Sequence, residues 1–62
     1  MCDLKAYLRT TTSEKLLLES VNLIHAEQGE VRVRNLFGEE VTVHGEVREV
    51  SLVKNRIVIE QR

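Results

Sequence analysis

Residues 27–43 read EQGEVRVRNLFGEEVTV, and this stretch decides the fold class. Within residues 30–36, valine alternates with arginine, a period of two that indicates a strand with one buried face. Gly29 and Gly38 stand on either side of this strand, where a residue free to adopt positive φ predicts a turn. A further strand begins at residues 41–43, so the stretch predicts strands joined by tight turns.

The N-terminal side predicts three more strands. Residues 2–9 alternate between apolar and polar side chains and predict the first. The following segment, with its leucine triplet, also fits a short helix capped by Ser13 and running to Ile24. That helix would be apolar around more than half of its circumference, too wide a stripe for a small surface helix. We therefore predict two strands, Lys15 to Glu19 and Val21 to Glu27.

The C-terminal side continues the same pattern. Gly45 allows a bend before an apolar segment at 47–52, Lys54-Asn55-Arg56 predicts the last turn, and Ile57-Val58-Ile59 predicts the last strand. Six or seven short strands at a spacing of about ten residues are typical of a small β-barrel or sandwich. We therefore predict an all-β fold, an antiparallel barrel or sandwich, forming a single domain over residues 1–62.

The length indicates that one copy alone is marginally stable. A chain of 62 residues buries only about 60% of the surface that it exposes when unfolded. Small folds usually gain stability from disulfides, a metal or a partner chain. A single cysteine cannot form an internal disulfide, which leaves oligomerisation, a metal, or both.

Composition argues against several classes of function. Nine basic and ten acidic residues give a net charge of −1, and Tyr7 and Phe37 are the two aromatic residues, so a nucleic-acid surface is not expected. No apolar run approaches the roughly 20 residues that span a bilayer. The first residues do not show the basic segment followed by an apolar segment that is typical of a signal peptide. A lone cysteine suits a reducing compartment, so we expect a cytoplasmic protein.

The sequence contains no recognisable catalytic motif. Spacing supports no Ser-His-Asp set, no glycine-rich phosphate loop and no HExxH motif. Glu39 and Glu40 are adjacent in a predicted turn, where neighbouring side chains point apart rather than forming a pair for acid–base catalysis. We therefore expect a protein that is not an enzyme.

Cys2 is the candidate metal ligand. A free cysteine is usually buried and inert, and Cys2 shares the apolar face of the first strand. At position two, however, its thiolate, its amide nitrogen and the Met1 amine can close two adjacent five-membered chelate rings around one cation. Nickel(II) favours planar nitrogen and sulfur donors, whereas structural zinc prefers four side-chain ligands; donor chemistry alone leaves nickel, copper and zinc open. Two copies related by a two-fold axis would supply two thiolates.

The two histidines are weaker candidates. His25 and His44 each lack a second ligand at a spacing typical of a metal site. We therefore predict that both are turn or surface residues.

Several segments together resemble a known family. The chain begins Met1-Cys2, reads VRVRNLFGEE at 31–40, has Gly-x-Val at 45–47 and ends IEQR at 59–62. Over its whole length it resembles the CooT family of small nickel-binding proteins, which are linked to maturation of nickel carbon monoxide dehydrogenase in carboxydotrophic bacteria. The resemblance implies a homodimer that binds one nickel(II) ion at its interface and requires Cys2.

This resemblance implies a metallochaperone or a nickel store, with carbon monoxide dehydrogenase or other nickel-insertion proteins as partners. The expected ligands are Cys2 of both chains, completed by backbone nitrogens of Met1, Cys2 or Asp3. Two alternatives remain open. One is a small β-barrel that binds RNA or protein and in which Cys2 is structural; the other is a regulatory or assembly subunit whose metal tunes the stability of the dimer.

Overall fold

The computed structural model describes residues 3–62, and strands account for most of them. The strands are β1 (Lys5–Arg9), β2 (Glu14–Leu18), β3 (Val21–Glu27), β4 (Glu30–Asn35), β5 (Glu40–Ser51) and β6 (Arg56–Gln61). Residues 3–62 form no helix, and so hold none that could cross a bilayer. The all-β prediction is confirmed for this part of the chain, whereas the predicted start of the first strand at Cys2 lies outside the described residues.

The leucine triplet belongs to a strand, as predicted. Ala6 pairs with Leu18 but Tyr7 pairs with Leu16, so Leu17 is the extra residue of a β-bulge. A bulge changes which side of the sheet the following side chains face, and this explains three consecutive leucines in a strand. Leu18 enters the core, and Leu16 stays partly exposed on the other face. Ser20, with a φ of 55°, then reverses the chain into β3.

The sheet differs from the predicted barrel or sandwich. It is one six-stranded sheet in the order β2-β1-β6-β5-β4-β3. Within residues 3–62 no ladder joins the edge strands β2 and β3, so the sheet does not close into a barrel. Pairing is antiparallel except between β1 and β6, which run parallel. The predicted antiparallel barrel or sandwich is therefore corrected to an open, mixed sheet.

A sharp corner in β5 explains this architecture. Glu40–His44 pair with β4, and Gly45–Ser51 pair with β6, so one 12-residue strand serves two ladders. The two segments expected on either side of Gly45 are therefore one strand, which gives six strands rather than seven. The corner folds one part of the sheet over the other, with the core between them. The core is therefore buried although β2 and β3 do not pair to close a barrel.

The core is a single cluster contributed by both parts of the folded sheet. Its buried members are Ala6, Leu8, Leu18, Val21, Val31, Val33, Ile57 and Ile59. The alternation in β4 is confirmed, because Val31 and Val33 are fully buried while Arg32 and Arg34 are exposed. The turn glycines Gly29 and Gly38 have φ values of 73° and 85°, as expected for their positions.

Candidate functional site

The predicted metal ligands lie at the beginning of the chain. Met1 and Cys2 are outside the described residues. Asp3 is described, and its exposed carboxylate lies 3.9 Å from the Lys5 ammonium group. The predicted contribution of Asp3 to a metal site is its backbone nitrogen and does not involve this carboxylate.

The residues that follow Cys2 are held on both sides by backbone hydrogen bonds. The Val21 N–H donates to the Leu4 carbonyl at 2.9 Å, and the Lys5 N–H donates to the Asn55 carbonyl at 2.9 Å. These bonds anchor the chain between the β2–β3 connection and the β5–β6 turn. Covalent geometry then limits the Cα of Cys2 to about 7 Å from the Cα of Leu4.

Two exposed apolar turns flank this anchored segment. In the Phe37 turn (residues 35–39), which joins β4 to β5, the Phe37 side chain is 75% exposed. In the Val53 turn (residues 51–55), which joins β5 to β6, Val53 is 94% exposed. The Leu36 N–H donates to the Ser20 carbonyl at 3.0 Å, which places the Phe37 turn next to the β2–β3 connection. The Val53 turn contacts the segment directly through Asn55.

A buried asparagine makes the Phe37 turn rigid. Asn35 is 3% exposed, and its Oδ1 accepts hydrogen bonds from the N–H groups of Phe37, at 3.0 Å, and Glu39, at 2.9 Å. Its Nδ2 donates to Glu39 Oε1 at 2.7 Å. Sequence reasoning missed Asn35, although an asparagine shortly before a turn glycine is a known signal for side-chain closure of a turn. The result is an exposed phenylalanine held on a preorganised loop.

Both histidines are exposed on the β3–β4–β5 part of the sheet, as predicted. His25 Nε2 is 2.7 Å from Glu27 Oε1, and this hydrogen bond, with the charge of His25, lowers the pKa of Glu27. His44 Nδ1 is 4.0 Å from Glu30 Oε2. A shallow cavity of about 110 Å³ lies here, lined by His25, Glu27, Glu30, Arg32 and Thr42. Across residues 3–62, no group of three or more His, Cys, Asp and Glu side chains is arranged to hold a metal ion.

Carboxylates neutralise the arginines that could have formed a basic stripe. The ion pairs are Arg34–Glu40 at 2.9 Å, Arg48–Glu60 at 2.5 Å and Arg56–Glu14 at 2.5 Å. The adjacent acids Glu39 and Glu40 serve different partners, Asn35 and Arg34. Neither a continuous cationic surface nor a paired carboxylate site is formed by these residues.

Comparison with known proteins identifies the family. The sequence model described as "CO dehydrogenase accessory protein CooT" matches residues 1–60. The fold is similar to the crystal structure of a protein assigned as CooT from Carboxydothermus hydrogenoformans, with a TM-score of 0.85, 24% sequence identity and coverage of 98% of each chain. A comparison with curated proteins found no match. The chain thus belongs to the CooT family of carbon monoxide dehydrogenase accessory proteins.

Proposed function

We propose that this protein is a nickel(II)-binding accessory protein, a metallochaperone or nickel store, that supports maturation of nickel carbon monoxide dehydrogenase and has no catalytic activity of its own. The observation that carries the proposal is the family match over residues 1–60, a range that includes Cys2. The accessory role comes from the family description, and nickel comes from the resemblance of the sequence to nickel-binding members. A cytoplasmic location accords with this role, because a thiolate ligand must stay reduced.

In this proposal one nickel ion is bound between two copies through the Cys2 thiolate of each. Backbone nitrogens of Met1, Cys2 or Asp3 complete a roughly planar set, which suits nickel(II). The anchoring of Leu4 and Lys5 supports this arrangement, because it fixes the residues that follow Cys2 in sequence beside the two exposed apolar turns. A ligand set at the surface also suits a protein that hands its metal on, since the recipient can reach the ion without unfolding of the carrier.

The charge distribution favours this proposal over an RNA-binding module. Affinity for nucleic acid comes mainly from cations that neutralise phosphates. In the described part of the chain Arg34, Arg48 and Arg56 are each engaged by a glutamate. Gel shifts at about 50 and 200 mM salt test this point, and tight RNA binding that falls steeply with salt would favour the module instead.

A spectroscopic titration with nickel tests the proposed site. We expect thiolate-to-nickel charge-transfer bands that saturate at half an equivalent of nickel per chain. Cys2→Ser should abolish these bands and leave the circular dichroism spectrum unchanged. The matched controls His25→Gln and His44→Gln should bind nickel like the native protein. Unchanged affinity in Cys2→Ser, or loss of binding in a histidine variant, would contradict the proposed ligand set.

A reconstitution assay tests the proposed role. Nickel-free carbon monoxide dehydrogenase is mixed with the nickel-loaded protein in the presence of a chelator that removes free nickel. We expect activity to recover with the loaded native protein and not with Cys2→Ser treated in the same way. Equal recovery from both preparations would exclude delivery by Cys2.

A further inference from the structure

We propose that Ser20 is a positioning residue for the nickel site, because its left-handed backbone orients the peptide group that holds Leu4, two residues after Cys2. This role rests on the proposed function, since it concerns how that site is kept in place. It goes further by giving a part in metal binding to a residue that is distant from the ligands in the sequence and donates nothing to the metal.

Ser20 has an uncommon backbone conformation. Its φ is 55°, and among residues 3–62 only Ser20 and Asn55 combine a positive φ with a side chain. Asparagine is enriched in this region of backbone space and Asn55 closes a turn, so its conformation is ordinary, whereas serine has no such enrichment. A strained conformation persists only where the surrounding structure imposes it, and such residues cluster at functional sites. Ser20 therefore needs a structural explanation.

The explanation lies in the peptide group that joins Ser20 to Val21, because both of its polar ends are engaged. The Ser20 carbonyl accepts a hydrogen bond from the Leu36 N–H at 3.0 Å, and the Val21 N–H donates to the Leu4 carbonyl at 2.9 Å. The C=O and N–H of one trans peptide group point in opposite directions, so this group bridges the Phe37 turn and the N-terminal segment. A negative φ at Ser20 would redirect the chain, and the two hydrogen bonds could not both be kept.

The bridge is fixed on the side away from Leu4. Leu36 belongs to the Phe37 turn, which the buried Asn35 holds through its hydrogen bonds to two backbone N–H groups of that turn. Val21 is 1% exposed and is part of the core. Leu4 is thus tied through one peptide group to a rigid turn and to the core, and Ser20 sets the direction of that group.

This attachment matters for a metal bound by the residues that precede Leu4. The Cα of Cys2 is limited to about 7 Å from the Cα of Leu4, so any movement of Leu4 changes where the thiolate can be placed. Donors on an anchored segment lose little conformational entropy when an ion binds, whereas donors on a loose segment must first be ordered. We therefore expect the backbone of Ser20, and not its hydroxyl group, to raise the affinity for nickel.

Substitutions of Ser20 in the full-length protein test this role. Ser20→Val places a β-branched residue where positive φ is strongly disfavoured, so Leu4 should lose its hydrogen bond. We expect the nickel Kd, measured by competition with a chelator, to rise about tenfold or more. Ser20→Gly adopts positive φ without strain and should keep the native Kd although it lacks the hydroxyl group. A native Kd in Ser20→Val, or an equal rise in Ser20→Gly, would overturn the role.

A matched control separates positioning from a general loss of stability. Gly29 has a φ of 73° in the β3–β4 turn, and its carbonyl accepts from the Gly45 N–H rather than from the N-terminal segment. Gly29→Val therefore imposes the same kind of backbone strain away from Leu4. It should lower the urea midpoint at least as much as Ser20→Val and leave the nickel Kd native. An equal rise of the Kd in both valine variants would mean that lost stability alone weakens nickel binding.

Hydrogen exchange of the metal-free protein tests the attachment without nickel. In Ser20→Val the amides of Val21 and Leu36 should exchange at least about tenfold faster than in the native protein, because both lose their acceptors. The amides of Val31 and Val33, in the central strand β4, should keep their native rates. Unchanged exchange at Val21 and Leu36 would show that Ser20 does not hold the bridge.

The two measurements distinguish failure of this role from failure of the proposed function. If the native protein binds nickel through Cys2 and Ser20→Val binds it as tightly, the nickel site stands and the positioning role is wrong. If the native protein binds no nickel but Val21 and Leu36 lose protection in Ser20→Val, the proposed function is wrong and the attachment of Leu4 by Ser20 stands.

Discussion

Gly45 lies so close to the backbone carbonyl of Glu60 that a β-carbon at position 45 would overlap the carbonyl oxygen. The contact occurs at the corner of β5, where the strand leaves β4 and joins β6. Two backbone hydrogen bonds hold the same corner, from the Gly45 N–H to the Gly29 carbonyl at 3.0 Å and from the Arg62 N–H to the His44 carbonyl at 3.1 Å. Glycine is needed here for close approach of two strands, and not for positive φ.

We therefore expect Gly45→Ala to lower the free energy of unfolding by about 2–3 kcal/mol, since the overlapping atoms are backbone atoms that cannot move independently. Gly38→Ala is the control: its φ of 85° is unfavourable for alanine, but no atom lies within 4 Å of the added carbon. That substitution should cost about 1 kcal/mol. Urea denaturation at a fixed protein concentration measures both, and a larger loss in Gly38→Ala would contradict the packing argument.

Asn35 should determine the stability and order of the Phe37 turn. Asn35→Ala removes the acceptor of the Phe37 and Glu39 N–H groups, and we expect it to lower the free energy of unfolding by about 2 kcal/mol. Hydrogen exchange at these two amides should become faster. The exposed Asn22 on β3 offers a control, since Asn22→Ala should change stability by less than about 0.5 kcal/mol. Equal effects at both positions would show that the turn hydrogen bonds contribute little.

The ion pair between Arg56 and Glu14 connects β6 to the edge strand β2 across β1. Both side chains are about one-third exposed, and the Arg56 guanidinium also lies 4.8 Å from the centre of the Tyr7 ring. A double-mutant cycle with Arg56→Gln and Glu14→Gln should give a coupling energy of about 0.5–1 kcal/mol. The coupling should decrease at about 1 M salt, because partly exposed charges are screened. A coupling of zero at low salt would mean that the pair does not stabilise the edge strand.

The His25–Glu27 pair should make stability depend on pH in the acid range. The hydrogen bond from His25, followed by its charge, lowers the pKa of Glu27 in the folded state. The stabilisation is therefore fully present above the ordinary pKa of a glutamate and is lost as the pH falls through the lowered pKa. In an NMR titration, His25→Gln should raise the pKa of Glu27 towards its ordinary value. His44→Gln is the control, and an equal rise in that variant would contradict the assignment to His25.

Much of the local structure could be predicted because its signals are local. The alternation at Val31 and Val33 depends only on which face of a strand is buried, and the turns at Gly29 and Gly38 depend on φ at a single residue. The strand assignment of the leucine triplet followed from the width of the apolar stripe. The family resemblance rested on segments spread over the whole chain, and the family model that matches residues 1–60 confirmed it.

The candidate site was predictable only in part. Sequence could nominate Cys2, because sulfur and nearby backbone nitrogens are suitable donors wherever the chain places them. It could not identify Asn35 as the residue that orders the Phe37 turn, since this depends on the burial of its side chain and on its hydrogen bonds to Phe37 and Glu39. The expected Cys2 ligation and the nickel stoichiometry remain predictions.

The amino-acid sequence by itself determined the all-β class, the positions of most strands and turns, and the chemistry available at Cys2, because these depend on side-chain period, backbone freedom and donor type. Tertiary structure alone decided that β1 and β6 pair in parallel, that the sheet stays open, and that Leu4 lies between two apolar turns distant in sequence. The physical reason is that strand pairing and packing depend on contacts between remote segments. Each segment's own pattern is compatible with several partners, and only the folded core selects among them.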